Sequence, residues 1–275
     1  MKWKQINWKR IAIFSGWTVF GLGMFAMLGF VNHNQLEMPC AGINVNIDDK
    51  VQHDFIDVEE VLQLINSENK IKGKKIGSIN ISLLEKKLLS NPFVDRAEVY
   101  STVDAKLQVN VTQRDPLVRI VNVRDEHYYI DRNGRFMPVS ERYTSPVIVA
   151  NGFIYDTYAA MKVPHYVRDT TASDSSFFRE KPIIQQVFEV AQFLDRDTFW
   201  NSQTEQIFVN EEFELEIIPR IGSHRIILGN SDGLDEKFHR LYIFYTRGLK
   251  STGWNNYSVI NLKYQNQVVC TKTTN

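Results

Sequence analysis

Cysteine is scarce in this chain, which carries only Cys40 and Cys270 among its 275 residues. Two thiols near opposite ends do not make the dense disulfide framework of small secreted domains, and without converging histidines they make no zinc site. An excess of basic charge is lacking too, because 32 lysines and arginines balance 32 acidic residues. This balance argues against nucleic acid as a partner, since the phosphate backbone requires a basic face.

Catalytic motifs are also lacking, because the sequence contains no H-E-x-x-H, G-x-S-x-G, P-loop or C-x-x-C. Asp195 and Asp197 do spell D-x-D, a pair that type II membrane-anchored glycosyltransferases use to hold a metal–nucleotide sugar. Here the pair follows an amphipathic helix pattern instead of a buried strand, and a motif outside its required context is a weak signal. We therefore predict a binding protein with no catalytic residue, no metal, no cofactor and no small-molecule substrate.

Long apolar runs are absent except for residues 11–31, which contain no charged side chain. A helix that crosses the hydrocarbon core takes about 20 such residues. Four cations precede the run: Lys2, Lys4, Lys9 and Arg10. Because cations that flank a span stay on the cytoplasmic side, we predict a cytoplasmic tail at 1–10 and a transmembrane helix at 11–31, with the remainder outside. The alternatives fit less well, since a signal peptide has a shorter apolar region and a core helix needs no basic flank.

Residues 40–115 have the pattern of a small α+β domain. Residues 43–47 alternate apolar and polar side chains, as a strand does. Asp57 and Asn80 are suited to cap two helices, and Asn91-Pro92 ends the second, because proline disfavours helical geometry in the residue before it. Strand patterns follow at 94–100 and 106–112. The predicted order is therefore strand, helix, helix, strand, strand.

Residues 116–275 predict a second domain in which strands predominate. Asn133-Gly134 between apolar runs is a hairpin signal, because both residues tolerate positive φ. One helix begins at Pro182 and another runs from Leu234 to Tyr245, and residues 170–176 are expected to be a loop. Further strands are predicted at 145–149, 206–209, 212–218 (with Phe213 on the same face as Leu215), 224–228 and 258–264.

Several motifs together resemble the bacterial cell-division family FtsQ, called DivIB in some bacteria. They are Asn91-Pro92-Phe93-Val94, Arg114-Asp115-Pro116-Leu117, the D-x-x-G hairpin at Asp131-Arg132-Asn133-Gly134, and Val259-Ile260-Asn261-Leu262-Lys263-Tyr264 in place of the family's V-D-L-R-Y. The resemblance implies an α+β chain with an N-terminal transmembrane helix and a POTRA domain (β-α-α-β-β) at 40–115. A mixed antiparallel β domain with two flanking helices follows at 116–275.

The resemblance also implies a function. Members of the family are non-enzymatic divisome scaffolds, single-pass proteins of the bacterial inner membrane at the division septum. Their extracytoplasmic part binds the coiled-coil proteins FtsB and FtsL and links them to septal wall synthesis. Docking occurs by strand addition at the last strand, which implies partner-binding roles here for Lys263, Tyr264, Asn266 and Gln267. Tyr264 would be an aromatic anchor, unless it packs inward on the face of Ile260.

Other hypotheses stay open at this point. An exported POTRA protein of secretion or outer-membrane assembly would be expected to carry several POTRA copies or a membrane barrel. An anchored glycosyltransferase would require Asp195 and Asp197. A basic cluster, Lys70, Lys72, Lys74 and Lys75, is either a solvated loop or a contact for anionic headgroups or a partner.

Overall fold

The computed structural model describes residues 16–24, 36–48, 54–67, 70–159 and 181–273. Residues 16–24 form helix α1. Among the helices so described, none combines the length and the apolar content that crossing a membrane takes. Most of the predicted span, residues 11–31, lies outside the described residues, so the transmembrane helix stays a prediction. The chain divides into two compact units, Met1–Lys50 with Ile56–Gln113, and Val51–Phe55 with Arg114–Asn275.

The first unit has a three-stranded sheet covered by two helices. Its elements are β1 (Gly42–Asp48), α2 (Val58–Asn66), a 3-10 turn (Ile76–Ser78), α3 (Ile81–Leu89), β2 (Val94–Ser101) and β3 (Lys106–Gln113). Strand β3 lies in the middle, parallel to β1 and antiparallel to β2. The predicted order of strands and helices is confirmed.

Both predicted helix caps of this unit are present. The N–H of Glu60 donates to Oδ1 of Asp57 (2.7 Å), and the N–H of Leu83 donates to Oδ1 of Asn80 (3.0 Å). Each bond satisfies a donor that the first helical turn leaves without an intrahelical partner. The apolar faces of the two helices then pack on β3 in one core that includes Val61, Ile65, Leu84, Leu88, Leu107, Val109 and Val111.

The second unit is built on a nine-stranded sheet. Its strands are β4 (Pro116–Val121), β5 (His127–Asp131), β6 (Phe136–Pro138), β7 (Ile148–Gly152), β8 (Thr204–Val209), β9 (Leu215–Pro219), β10 (Arg225–Gly229), β11 (Tyr257–Asn261) and β12 (Val269–Lys272). Its helices are α4 (Ile183–Arg196), α5 (Thr198–Gln203), α6 (Leu234–Ile243) and α7 (Leu249–Thr252), the last two joined by a π turn (Phe244–Gly248). The spatial order of the strands is β12-β11-β10-β9-β8-β7-β4-β5-β6.

The sheet is mixed, as predicted, and contains parallel pairs that the sequence pattern does not indicate. Strands β4 and β7, β7 and β8, and β10 and β11 run parallel. Parallel neighbours need a crossover connection, usually a helix. Here α4 and α5 connect β7 to β8, and α6 and α7 connect β10 to β11. The two predicted flanking helices are thus found as α4 and α6, and α5 and α7 are additional.

A buried carboxylate organises the β5–β6 hairpin. Oδ1 of Asp131 accepts from the N–H groups of Asn133 (2.9 Å) and Arg135 (2.8 Å), and Oδ2 accepts from Nε of Arg135 (2.9 Å). Gly134 takes the positive φ of the turn, 77°, which costs a residue without Cβ little. The hairpin predicted at Asn133-Gly134 is confirmed.

The strands predicted at 212–218 and 145–149 are wrong at their boundaries. The strand predicted at 212–218 begins only at Leu215, because Oδ1 of Asn210 accepts from the N–H groups of Glu212 and Glu214 and holds the preceding residues in a turn. Phe213 has a φ of 58° in that turn and is exposed, not a core residue. The strand predicted at 145–149 begins at Ile148, and the loop predicted at 170–176 lies outside the described residues.

Candidate functional site

The last strand, β12, forms one edge of the nine-stranded sheet. It pairs antiparallel with β11, with Cys270 opposite Ile260 and Val269 opposite Asn261. Strand β11 lies between β10 and β12 and is therefore not an edge. We use the name open edge for the side of β12, Val269–Lys272, that faces away from β11.

Hydrogen bonds next to the strand define which main-chain groups face the open edge. The N–H of Thr273 donates to the carbonyl of Asn256 (3.0 Å), so Thr273 directs its N–H towards the β11 side. On the other side of β11, the N–H of Leu262 donates to the carbonyl of Ile227 in β10 (2.9 Å). Main-chain groups alternate in direction along an antiparallel strand. The N–H and C=O groups of Cys270 and Lys272 therefore point out of the sheet at the open edge.

The side chains of β12 divide between two environments. Cys270 is half-buried and packs against the main core of the second unit, and burial raises the pKa of its thiol. Val269 is 42% exposed, and Thr271 and Lys272 are also exposed. A short edge strand with a lysine is one way in which proteins limit unwanted pairing. The open edge is therefore accessible but presents only a short ladder.

The four residues predicted to bind a partner lie outside any strand. Strand β11 ends at Asn261, so the strand predicted at 258–264 is too long by three residues. Lys263, Tyr264, Asn266 and Gln267 belong to the connection 262–268, which we call the β11–β12 turn. The strand stops because Oδ1 of Asn261 accepts from the N–H of Lys263 (3.0 Å) and turns the chain. Asn266 has a φ of 59° in the same turn.

Exposure distinguishes the two hypotheses for Tyr264. Ile260 and Leu262 are fully buried, whereas Tyr264 is 49% exposed. The inward packing of Tyr264 beside Ile260 is therefore wrong, because the turn has broken the alternation that would bury it. The structure brings Tyr264 together with Lys263, Asn266 and Gln267 in one exposed turn that leads into the open edge.

Three residues that the sequence did not single out hold this turn in place. Glu214 forms an ion pair with Lys263, and this contact raises the pKa of the lysine ammonium. Nη2 of Arg240 donates to the carbonyl of Leu262 (3.0 Å). A Cβ on Gly229 would lie 2.8 Å from Cγ of Lys263, so the lysine stem needs a glycine there. No local sequence signal could have linked Glu214 to Lys263, since 49 residues separate them.

Comparison with known families agrees with this architecture. A family model described as "FtsQ/DivIB, C-terminal related" matches residues 115–271. The chain belongs to the FtsQ/DivIB family. A model described as "POTRA-like domain" matches residues 38–112, so the resemblance identified in the sequence is confirmed for both parts. No curated protein shows significant similarity to the chain.

In this FtsQ/DivIB chain a polar cleft of about 800 Å³ lies beside the β11–β12 turn, at the carboxyl ends of β10 and β11. Its charged lining residues are Lys181, Lys237, Lys263, Glu212, Glu214 and Asp232. Lys237 is only 8% exposed, and its Nζ donates to the main-chain and side-chain oxygens of Asn230 (2.9 and 3.0 Å). Burial lowers the pKa of Lys237. Three cations and three anions balance in the cleft, so it favours neither sign of ligand.

Both carboxylates of the D-x-D pair of this FtsQ/DivIB chain have structural partners. Asp195 accepts a short hydrogen bond from Arg132, whose Nε also donates to Asp115 (2.5 Å). Asp197 caps α5, since its Oδ1 accepts from the N–H groups of Phe199 (2.9 Å) and Trp200 (3.3 Å). Ion pairing and helix capping therefore account for both carboxylates without a metal–nucleotide sugar.

Proposed function

We propose that this chain is a non-enzymatic division scaffold that captures FtsB- and FtsL-like coiled-coil proteins by adding a partner strand to β12. The observation that carries the proposal is the open edge, at which Cys270 and Lys272 present outward main-chain groups. An extended partner segment satisfies such groups and gains affinity from a main-chain ladder. The captured proteins would then be linked to septal wall synthesis.

The free energy that main-chain hydrogen bonds at the open edge can supply is suited to a reversible contact. Each outward residue carries one donor and one acceptor, so Cys270 and Lys272 together offer about four hydrogen bonds. At about 0.5–1.5 kcal/mol each, these contribute roughly 2–6 kcal/mol, which is less than the roughly 8 kcal/mol of a micromolar complex. Side-chain contacts must supply the rest, and the exposed β11–β12 turn offers Tyr264 and Lys263 for that role. An aromatic ring beside a main-chain ladder is a common anchor.

Location and tethering are part of the same proposal. The uncharged run 11–31 and its basic flank support a single span in the bacterial inner membrane, with residues 32–275 outside the cytoplasm. A scaffold tethered in this way would gather its partners at the septum. The glycosyltransferase hypothesis is less favoured, because Asp195 and Asp197 serve an ion pair and a helix cap.

A matched pair of substitutions at one position tests strand addition. Cys270→Pro removes an outward N–H while the β11 side of the ladder is kept, since proline is tolerated on an edge strand when its missing N–H faces away from the sheet. Cys270→Ala keeps the N–H and changes only the side chain. We expect the proline variant to bind a purified FtsB-like partner at least about fivefold more weakly, the equivalent of one lost hydrogen bond, and the alanine variant to bind almost normally.

A localisation experiment and a deletion test the wider proposal. A fluorescent fusion of the full chain should concentrate at midcell, and deletion of residues 264–275 should abolish partner capture. Equal affinity of the proline and alanine variants would reject strand addition at β12. A uniform membrane signal together with intact partner capture after the deletion would reject the wider proposal.

A further inference from the structure

The POTRA-like unit contains a small groove between its two helices that strand addition at β12 does not use. Its floor is apolar, because Ile65, Ile71 and Leu84 are 2%, 6% and 7% exposed. Leu83 lies at its mouth and is 51% exposed, although it is a large apolar side chain. We call this feature the helix groove, and Lys74 and Lys87 also line it.

The volume of the helix groove limits what can occupy it. The groove encloses about 180 Å³, whereas pockets for cofactors and drug-sized ligands enclose about 300–1,000 Å³. A cavity of about 150 Å³ in another protein holds one benzene molecule. The helix groove is therefore suited to a single apolar side chain that a partner chain inserts.

The charge around the helix groove indicates which residues of the partner should lie next to the inserted side chain. Residues 70–87 contain six lysines and one acidic residue, Glu85, and Lys75 forms an ion pair with Glu37. The Oε1 atom of Glu85 accepts a hydrogen bond from the N–H of Val99 in β2 (3.1 Å), so Glu85 has a structural role. Lys74 is exposed and Lys87 half-exposed on the walls of the groove. Lys74 therefore complements a carboxylate placed beside the inserted side chain.

We propose that the helix groove docks an acidic segment of a partner protein, which inserts one apolar side chain against Leu83 and sets a carboxylate beside Lys74. An anionic lipid surface would also attract the lysines. A flat layer of polar headgroups, however, has no apolar group to fill the groove or to cover Leu83. The combination of an apolar concavity and flanking cations therefore favours a polypeptide. This docking surface is separate from the open edge and does not depend on strand addition.

The test selects ligands without assuming their sequence. The full chain in neutral-lipid nanodiscs is screened against a displayed library of short random peptides, and the best binders are measured by fluorescence anisotropy. We expect an apolar residue flanked by aspartate or glutamate. Leu83→Ala should weaken binding about tenfold, and Lys74→Glu about fivefold. Lys106→Glu is the matched control, since it makes the same charge change on the same unit away from the groove, and it should have no effect.

Two results would overturn the proposal. Selected peptides without acidic flanks, or with affinities unchanged by both Leu83→Ala and Lys74→Glu, would show that the groove is not a docking site. Binding of the nanodiscs to phosphatidylglycerol vesicles that falls equally in Lys72→Glu and Lys74→Glu and ignores Leu83→Ala, without peptide binding, would assign the lysines to a membrane surface. Because Leu83 and Lys74 are exposed, both variants should keep the thermal stability of the parent chain, which a melting curve checks.

Discussion

Burial of His224 should make the second unit less stable as the pH falls below neutrality. The side chain is 3% exposed, and its Nε2 lies 2.8 Å from the hydroxyl of Tyr245. Trp254 and Gly222 also lie against the ring. Nδ1 has no hydrogen-bond partner within the described residues. Burial lowers the pKa of His224 below its usual 6.5, because an imidazolium removed from water loses its hydration.

The sign of the effect follows from proton linkage. Since the pKa of His224 is lower in the folded state, the unfolded chain binds more protons between the two pKa values. The stabilisation is therefore complete above about pH 6.5 and is lost as the pH falls from there towards the folded pKa. A difference of one bound proton changes the free energy of unfolding by at most about 1.4 kcal/mol per pH unit.

Urea unfolding measured by tryptophan fluorescence at a series of pH values below neutrality checks this prediction. Carboxylates also titrate in acid, so the informative quantity is the difference between the parent chain and His224→Gln, which cannot be protonated. The parent chain should lose more free energy of unfolding than His224→Gln as the pH falls below 6.5. His239→Gln removes an exposed histidine of α6 and controls for the substitution itself. Identical pH dependence in the parent chain and His224→Gln would refute the reasoning.

Substitutions at three further positions test local features of the fold. Asp131→Ala should cost about 3 kcal/mol of unfolding free energy in a urea titration, because it leaves Arg135 and two turn N–H groups without their buried acceptor; an effect below about 1 kcal/mol would contradict this. Asn80→Ala should cost the first unit about 1 kcal/mol through loss of the α3 cap, whereas Asn80→Asp should retain most of it in the same assay. Gly229→Ala should lower the melting temperature and displace Lys263, because it strains a φ of 75° and crowds the lysine stem; an unchanged lysine signal in NMR spectra would count against this contact.

The elements that the sequence predicted well depend on signals that act over a few residues. Asp57 and Asn80 accept from N–H groups three positions later, and Gly134 lies inside the turn that it permits. Such contacts form almost independently of the rest of the chain, so residue type and spacing suffice to predict them. Spacing also predicts the apolar stripes of α2 and α3, because side chains three and four positions apart share one helix face.

The strand ends that were predicted less well are determined by side-chain turns and strand pairing, which the alternation of apolar and polar residues does not reveal. The alternating pattern of residues 258–264 continues past the end of β11. Leu262 fits this pattern, since its N–H still donates to Ile227 of β10 and its side chain is buried. Whether Tyr264 continues the strand is decided by the Asn261 turn and by the pairing of β12, which periodicity does not register. Phe213 fails for a similar reason, since Asn210 imposes a turn on an apparently alternating run.

The position of the open edge follows from topology more than from any of the predicted side chains. The crossover from β10 through α6 to β11 leaves one side of β11 uncovered, and the β11–β12 turn folds Val269–Lys272 onto that side. This edge of the sheet is therefore β12 and not β11, the strand that contains the first half of the family motif at residues 259–264. The residues of β12 contain no family motif. A strand-adding partner would contact main-chain groups of Cys270 and Lys272, which almost any side chain would present equally well. Selectivity must then come from Tyr264 and Lys263 in the turn, so affinity and specificity should respond to different substitutions.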